Sequence, residues 1–207
     1  MVTTVYLIRH GQTEGSDENR YKGHIDVPLS DEGMKQVGRL SDHMSGLFNN
    51  GSGSSGLSHI YCSDLVRAVR TAEIIGKPFG LMPDIIPQLR ERSFGQWEGM
   101  TFDEIRETYP GEFDAWVKNP LEFSPVGGES TLEVRGRVMP VFYELVGRHE
   151  GGSIALVAHG GINRIVLCDI LGIPLLHIFR IEQAFACLNI LDFYEETPVL
   201  RAMNLTF

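Results

Sequence analysis

The chain has 207 residues, a formal net charge of −9 and a hydrophobic content of 43%. This length favours a single domain over residues 1–207 and is enough to bury a sizeable core. The negative charge argues against nucleic acids and membranes as partners, because both favour basic surfaces. No apolar stretch approaches the ~18 residues of a membrane span, and the N-terminus lacks the basic region of a signal peptide.

The cysteine pattern points to a reducing environment. The chain has three cysteines, an odd number, and all stand in apolar surroundings: Cys62, Cys168 and Cys187. We interpret them as free buried thiols, which are typical of intracellular proteins. The sequence therefore predicts a cytoplasmic protein.

Three short apolar runs predict buried parallel strands, and each run is followed by a helical pattern. The runs are residues 5–8, 59–62 and 154–158. The helices that follow are predicted at 30–48, from a cap at Ser63 or Asp64, and at 162–171 with Gly172 as the stop. Alternating strands and helices indicate an α/β fold, here a three-layer α/β/α sandwich with a mainly parallel sheet.

The remaining segments complete this architecture. Two capping boxes predict further helix starts, at Thr101-x-x-Glu104 and Ser130-x-x-Glu133. Residues 94–128 have an irregular, aromatic-rich helical pattern, so we expect an insertion that covers one end of the sheet. Alternating segments near 186–191 and 199–205 predict two late strands, with one antiparallel edge strand. The Gly/Ser-rich residues 49–56 predict a surface loop.

Polar side chains collect where the three predicted parallel strands end. The strand ends carry Arg9-His10-Gly11, Ser63-Asp64-x-x-Arg67 and His159-Gly160-Gly161. In open α/β sheets, ligands bind beyond the carboxyl ends of the strands. We therefore expect two histidines and two arginines, distant in sequence, to converge on one crevice beneath the insertion.

Two histidines beside two arginines suit a phosphoryl dianion. Histidines alone could bind a metal, but a guanidinium next to a dication is repulsive. Arginine forks match phosphate oxygens, and a glycine such as Gly160 lets backbone N–H groups approach an anion closely. His10 is then a candidate nucleophile that attacks phosphorus, while a partly protonated His159 stabilises the transition state. Neither a metal nor a cofactor is expected.

The leaving oxygen needs a proton, and the segment 89–99 offers two carboxylates, Glu91 and Glu98. Close to a bound phosphate, a carboxylate holds its proton more tightly because of charge repulsion and partial burial. Such a group suits a general acid that later acts as general base for water. The residues alone leave both candidates open, and Glu91, between two arginines, could equally form a salt bridge.

Taken together, these motifs resemble the histidine phosphatase superfamily, which includes the phosphoglycerate mutases. The resemblance covers nearly the whole chain and implies a phosphoglycerate mutase-like fold. It rests on seven segments in order: 9–13 (Arg-His-Gly-Gln-Thr), 20–23 (Arg-Tyr-Lys-Gly), 63–72, 89–91, 94–99, 127–130 and 159–161.

The resemblance implies a role for each matching residue. His10 would be the phosphorylated nucleophile, and Glu91 would be the general acid. Arg9, Arg67 and His159 would form the phosphate pocket.

The resemblance also makes Glu98 structural, and it shows one departure. Many members carry Trp-Asn after Thr-Glu, with the Asn touching phosphate, but here Glu14 is followed by Gly15-Ser16. Because a hydroxyl can donate a hydrogen bond, Ser16 is the expected replacement for that contact.

Three functions remain open at this point. The first is a phosphomonoesterase acting on a small phosphorylated metabolite, as monomer or homodimer; residues 179–184 and 109–130 are similar to α-ribazole phosphatases. The second is a phosphoglycerate mutase that uses the same nucleophile, although the mutase branch resembles longer chains. The third is an inactive relative that binds phosphorylated ligands, which the presence of both His10 and Glu91 disfavours.

Overall fold

The computed structural model describes residues 1–49, 56–195 and 197–207. Its centre is a six-stranded sheet with the strand order β3-β2-β4-β1-β5-β6. The strands are β1 (Val2–Arg9), β2 (His59–Cys62), β3 (Asp84–Ile85), β4 (Ser153–Ala158), β5 (Leu188–Tyr194) and β6 (Thr197–Leu205). The first four are parallel to one another, whereas β5 pairs antiparallel with both β1 and β6. The predicted mainly parallel sheet with antiparallel pairing at one edge is confirmed.

Six α-helices cover the sheet in the described part of the chain. They are α1 (Asp31–Asn49), α2 (Val66–Gly76), α3 (Phe102–Thr108), α4 (Pro110–Lys118), α5 (Thr131–Arg148) and α6 (Gly160–Leu171). A 3-10 helix follows at Leu175–Arg180. Within the loop predicted at 49–56, residues 50–55 lie outside the described residues.

The alternation of side chains along β1 explains the three layers. Val5 and Leu7 pack with α5 and α6 on one face, and Tyr6 and Ile8 pack with α1 and α2 on the other. Successive strand residues point to opposite faces, so an apolar run of this kind needs cover on both sides. The sandwich prediction is confirmed, and the sheet is held between two separate cores.

Both predicted capping boxes form, at the starts of α3 and α5. The predicted cap of α2 is wrong, because its N-cap residue is Leu65 and no side-chain cap bond forms there. Asp64 instead accepts two hydrogen bonds of 2.6 Å from Arg90. The first free N–H of the helix, on Val66, donates to Asp26 from a distant loop at 2.8 Å.

Among the described residues, no helix is long and apolar enough to cross a membrane.

Candidate active site

The carboxyl ends of β1, β2 and β4 open onto a cavity of about 440 Å³. Six of the seven residues predicted for the site line it, namely Arg9, His10, Ser16, Arg67, Glu91 and Gly160. The seventh, His159, is fully buried and does not reach the cavity surface. The strand ends therefore bring six of the predicted residues together at the cavity, while His159 lies behind them in the protein interior.

His10 follows directly after β1 and is presented as a neutral imidazole. Its Nδ1 lies 2.7 Å from the carbonyl oxygen of Gly11, so Nδ1 carries the hydrogen and donates it. Nε2 makes no hydrogen bond to the described residues and is left with its lone pair. Burial, followed by the charges of Arg9 and Arg67, holds the pKa of His10 well below its ordinary value. The ring is thus an unprotonated nucleophile at neutral pH.

Arg67 is 2% exposed and is fixed by two backbone carbonyls. Its Nη1 donates to Ile25 at 2.9 Å and its Nη2 donates to Gly23 at 2.7 Å. Burial lowers the pKa of Arg67, but a guanidinium stays charged at any physiological pH. A fixed cation beside the nucleophile can bind a phosphoryl group without reorganising.

Arg9 is the second fixed cation. Its Nη1 donates to the Gln183 carbonyl at 2.5 Å, and its guanidinium lies 3.9 Å from the centre of the Phe185 ring. Its Nε is buried without a partner among the described residues. Since buried polar groups are usually satisfied, this unused N–H is consistent with a ligand oxygen at this place.

Glu91 is held by two backbone N–H groups. Its Oε1 accepts from Arg92 at 2.9 Å, and its Oε2 accepts from Gly161 at 3.0 Å. A Cβ atom at position 161 would lie 2.4 Å from Oε1, so only glycine leaves room for this carboxylate. Glu98 instead accepts from the N–H groups of His24 and Phe94. These loop contacts agree with the structural role that the resemblance implied.

His159 lies beneath His10, with ring centres 5.1 Å apart. Its Nε2 lies 2.7 Å from Ser63 Oγ, whereas its Nδ1 is buried without a partner among the described residues. Burial, followed by the charges of His10 and Arg67, holds the pKa of His159 well below its ordinary value. These surroundings disfavour the protonated ring, and partial protonation stays a prediction for the site with a phosphoryl group bound. A phosphoryl dianion nearby would shift the pKa of His159 back upward.

Ser16 lines the cavity but is already engaged. Its Oγ accepts from the Thr13 N–H at 3.2 Å and lies 2.9 Å from Thr13 Oγ1. Thr13 Oγ1 in turn accepts from Lys22 Nζ at 2.8 Å. Lys22 also lines the cavity and forms no ion pair within the described residues. The contact expected of Ser16 can thus be shared with Lys22, a cation that the sequence analysis did not assign to the site.

Arg164 is a second cavity cation that sequence reasoning missed. Its Nε donates to the Ile181 carbonyl at 2.8 Å, and its guanidinium lies beside the Arg9 guanidinium near Gly160. The available signal was its spacing, since residues four apart on a helix share a face. Arg164 follows Gly160 by one helical turn on α6.

The outer part of the cavity is aromatic. Phe94, Trp97 and Trp116 come from the predicted insertion, and Phe179 and Phe185 come from the segment after α6. This side of the insertion is anchored by Arg92, which donates to the carbonyls of residues 123 and 129 at 3.2 and 2.6 Å. The site therefore joins a cationic floor to an apolar mouth.

The chain is similar to several known proteins over most of its length. The family model of the histidine phosphatase superfamily (branch 1) matches residues 5–206. A glucosyl-3-phosphoglycerate phosphatase from Mycolicibacterium vanbaalenii is 34% identical over 84% of this chain and 76% of its own. Phosphoserine phosphatase 1 from Hydrogenobacter thermophilus is 30% identical over 97% of this chain and 91% of its own. The solved structure of a putative α-ribazole-5'-P phosphatase from Escherichia coli has a TM-score of 0.86 at 25% identity, covering 98% and 96% of the two chains.

Proposed function

The chain belongs to the histidine phosphatase superfamily, and we propose that it is a metal-independent phosphomonoesterase that hydrolyses a small metabolite through phosphohistidine at His10. The observation that carries the proposal is the state of His10. Its Nδ1 is tied to the Gly11 carbonyl, which leaves Nε2 free beside two fixed guanidinium groups. In-line attack on phosphorus requires this combination of lone pair and charge.

In the first step, His10 Nε2 forms a bond to phosphorus as the phosphorus–oxygen ester bond breaks. The ester oxygen leaves with a proton from Glu91, whose carboxyl group is held in place by Gly161 and Arg92. Arg9 and Arg67 bind the equatorial oxygens, over which the negative charge is spread in the transition state.

In the second step, water attacks the phosphorus of phosphohistidine and gives a proton to the Glu91 carboxylate. The nitrogen–phosphorus bond breaks, inorganic phosphate leaves, and His10 returns as a neutral ring. Glu91 is protonated again and ready for the next ester. The same group therefore serves as acid and then as base.

Side chains supply the positive charge that this chemistry needs. Arg9, Lys22, Arg67 and Arg164 line the cavity with only one carboxylate, Glu91, among the lining residues. We expect turnover to be unchanged by excess EDTA. Loss of activity with EDTA, restored by a divalent cation, would contradict metal independence.

The substrate is proposed by comparison. The relatives are named for three different phosphomonoesters, and α-ribazole 5'-phosphate is our candidate because of the similarity at residues 109–130 and 179–184. Phosphate release should be measured with α-ribazole 5'-phosphate, phosphoserine, glucosyl-3-phosphoglycerate and 3-phosphoglycerate. The highest kcat/KM with α-ribazole 5'-phosphate would support the candidate. Isomerisation of 3-phosphoglycerate without phosphate release would favour a mutase instead.

We also propose a cytoplasmic location and a monomer or homodimer. All three cysteines are buried free thiols, a state that suits a reducing compartment. Cell fractionation and analytical ultracentrifugation test these two points, and recovery from an oxidising compartment or as a larger assembly would contradict them.

A further inference from the structure

Two groups of aromatic side chains line the cavity outside the catalytic floor. The first group, Phe94 and Trp116, belongs to the aromatic cluster of the insertion, where Phe94 packs on Tyr21 and Trp116 on Trp97. The second group, Phe179 and Phe185, lies in the segment after α6. Both groups line the same cavity, and no ring pair joins them within the described residues.

The fold buries these four aromatic side chains only in part. Phe179 is 77% exposed, although it lines the cavity, and Phe94, Trp116 and Phe185 are half-buried. Large apolar side chains that stay exposed around a cavity mark a binding site more often than a packing need. The cavity of about 440 Å³ is also within the range of small-molecule sites and larger than a phosphoryl group requires.

We infer that the alcohol released from the substrate carries a flat, apolar ring that lies between Trp116 and Phe179. Resting on the proposed function, this names the class of phosphomonoester that the site selects. A ring fits better than an alkyl chain, because aromatic faces favour offset-stacked or edge-to-face partners. Phe185 extends the apolar surface down to the floor, since its ring centre is 5.9 Å from that of His10.

The test uses three primary alkyl phosphates, whose leaving alkoxides all need a proton. They are 2-phenylethyl phosphate, which carries a flat apolar ring, 2-cyclohexylethyl phosphate, which carries a puckered apolar ring, and glycerol 3-phosphate, which carries polar hydroxyl groups. We expect the wild-type kcat/KM to be highest for the phenyl ester and lowest for glycerol 3-phosphate. An equal or higher kcat/KM for the cyclohexyl ester would overturn the inference that the site selects a flat ring.

Two variants locate the ring site. Trp116→Ala and Phe179→Ala should each lower kcat/KM for the phenyl ester by roughly tenfold, mainly through KM, the scale of one lost aromatic contact. Glycerol 3-phosphate should change less than about twofold, because it cannot stack. Val117→Ala and Leu176→Ala are the matched controls. Both side chains are exposed, lie on the same helices, and are not cavity residues.

The outcomes separate this inference from the proposed function. Equal losses with all three esters would overturn the ring site and leave the phosphatase in place. Absence of phosphate release in the wild type from these three esters and from all four metabolites of the substrate panel would overturn the proposed function itself.

Discussion

The close approach of Glu91 to Gly161 gives a test that separates catalysis from folding. In the variant Gly161→Ala, the new Cβ would lie 2.4 Å from Glu91 Oε1. Ordinary contact begins at 3.4 Å, so the carboxylate must move by about 1 Å. A displacement of about 1 Å in an active site costs roughly 100-fold in rate. Alanine is at the same time a better helix former than glycine, so α6 should stay folded.

The assay compares two esters in rapid-mixing experiments. With 2-phenylethyl phosphate, whose alkoxide needs a proton, we expect kcat/KM to fall about 100-fold. With p-nitrophenyl phosphate, whose phenolate leaves without a proton, the first turnover should change less than about tenfold. The matched control is Gly136→Ala in α5, where a Cβ meets no atom within 4 Å. It should gain about 0.5–1 kcal/mol of unfolding free energy and keep full activity.

If folded Gly161→Ala hydrolyses the alkyl ester at the wild-type rate, the position of Glu91 does not control proton transfer. An equal loss of first-turnover rate with both esters would mean that the carboxylate acts in binding rather than as an acid.

Three further predictions follow from the charges around His10. Because the pKa of His10 and that of His159 are lowered in the folded state, the unfolded chain binds more protons below pH ~6.5. The unfolding free energy should therefore fall as the pH drops from there, by up to about 1.4 kcal/mol per pH unit for each ring. Urea unfolding of the wild type and of His10→Gln at several pH values checks this, and equal slopes of unfolding free energy against pH in the two proteins would contradict it. Lys22→Met should raise the pKa of His10 in an NMR titration and weaken inhibition by inorganic phosphate roughly tenfold, whereas unchanged inhibition would remove Lys22 from the phosphate site. Arg67→Met should lower kcat/KM by about 100-fold or more. Arg67→Lys should not restore it, because one ammonium group cannot replace a guanidinium that also donates to two backbone carbonyls. A wild-type kcat/KM for Arg67→Lys in steady-state assays would disprove this geometric role.

The position of the site could be predicted from the sequence because it depends on local features. The apolar run before His10 and the one before His159 identify buried strands, and the ends of parallel strands meet at one edge of a sheet. The position of Arg67 follows from its place in the first turn of the helix after β2. These inferences need only strand periodicity and topology, and the structure brings Arg67 and His10 to one cavity.

Other features depend on contacts between distant segments and could not be predicted in the same way. The helix after β2 is capped by Asp26 from another loop, while Ser63 is bonded to His159. The depth of His159 and the lowered pKa that follows from its burial depend on how the whole site packs. Phe179 also could not be assigned, since an exposed aromatic residue has no sequence signature until its cavity is seen.

The central claim is that the phosphoryl group passes through His10, and rapid chemical quench tests it most directly. The variant Glu91→Gln should still form the nitrogen–phosphorus bond with p-nitrophenyl phosphate but should hydrolyse it slowly, because the base for water is gone. We expect a burst approaching one p-nitrophenol per protein, with acid-labile, alkali-stable phosphate on the peptide that contains His10, and no such label in His10→Ala. Phosphate on another residue, or a burst that persists in His10→Ala, would contradict the mechanism.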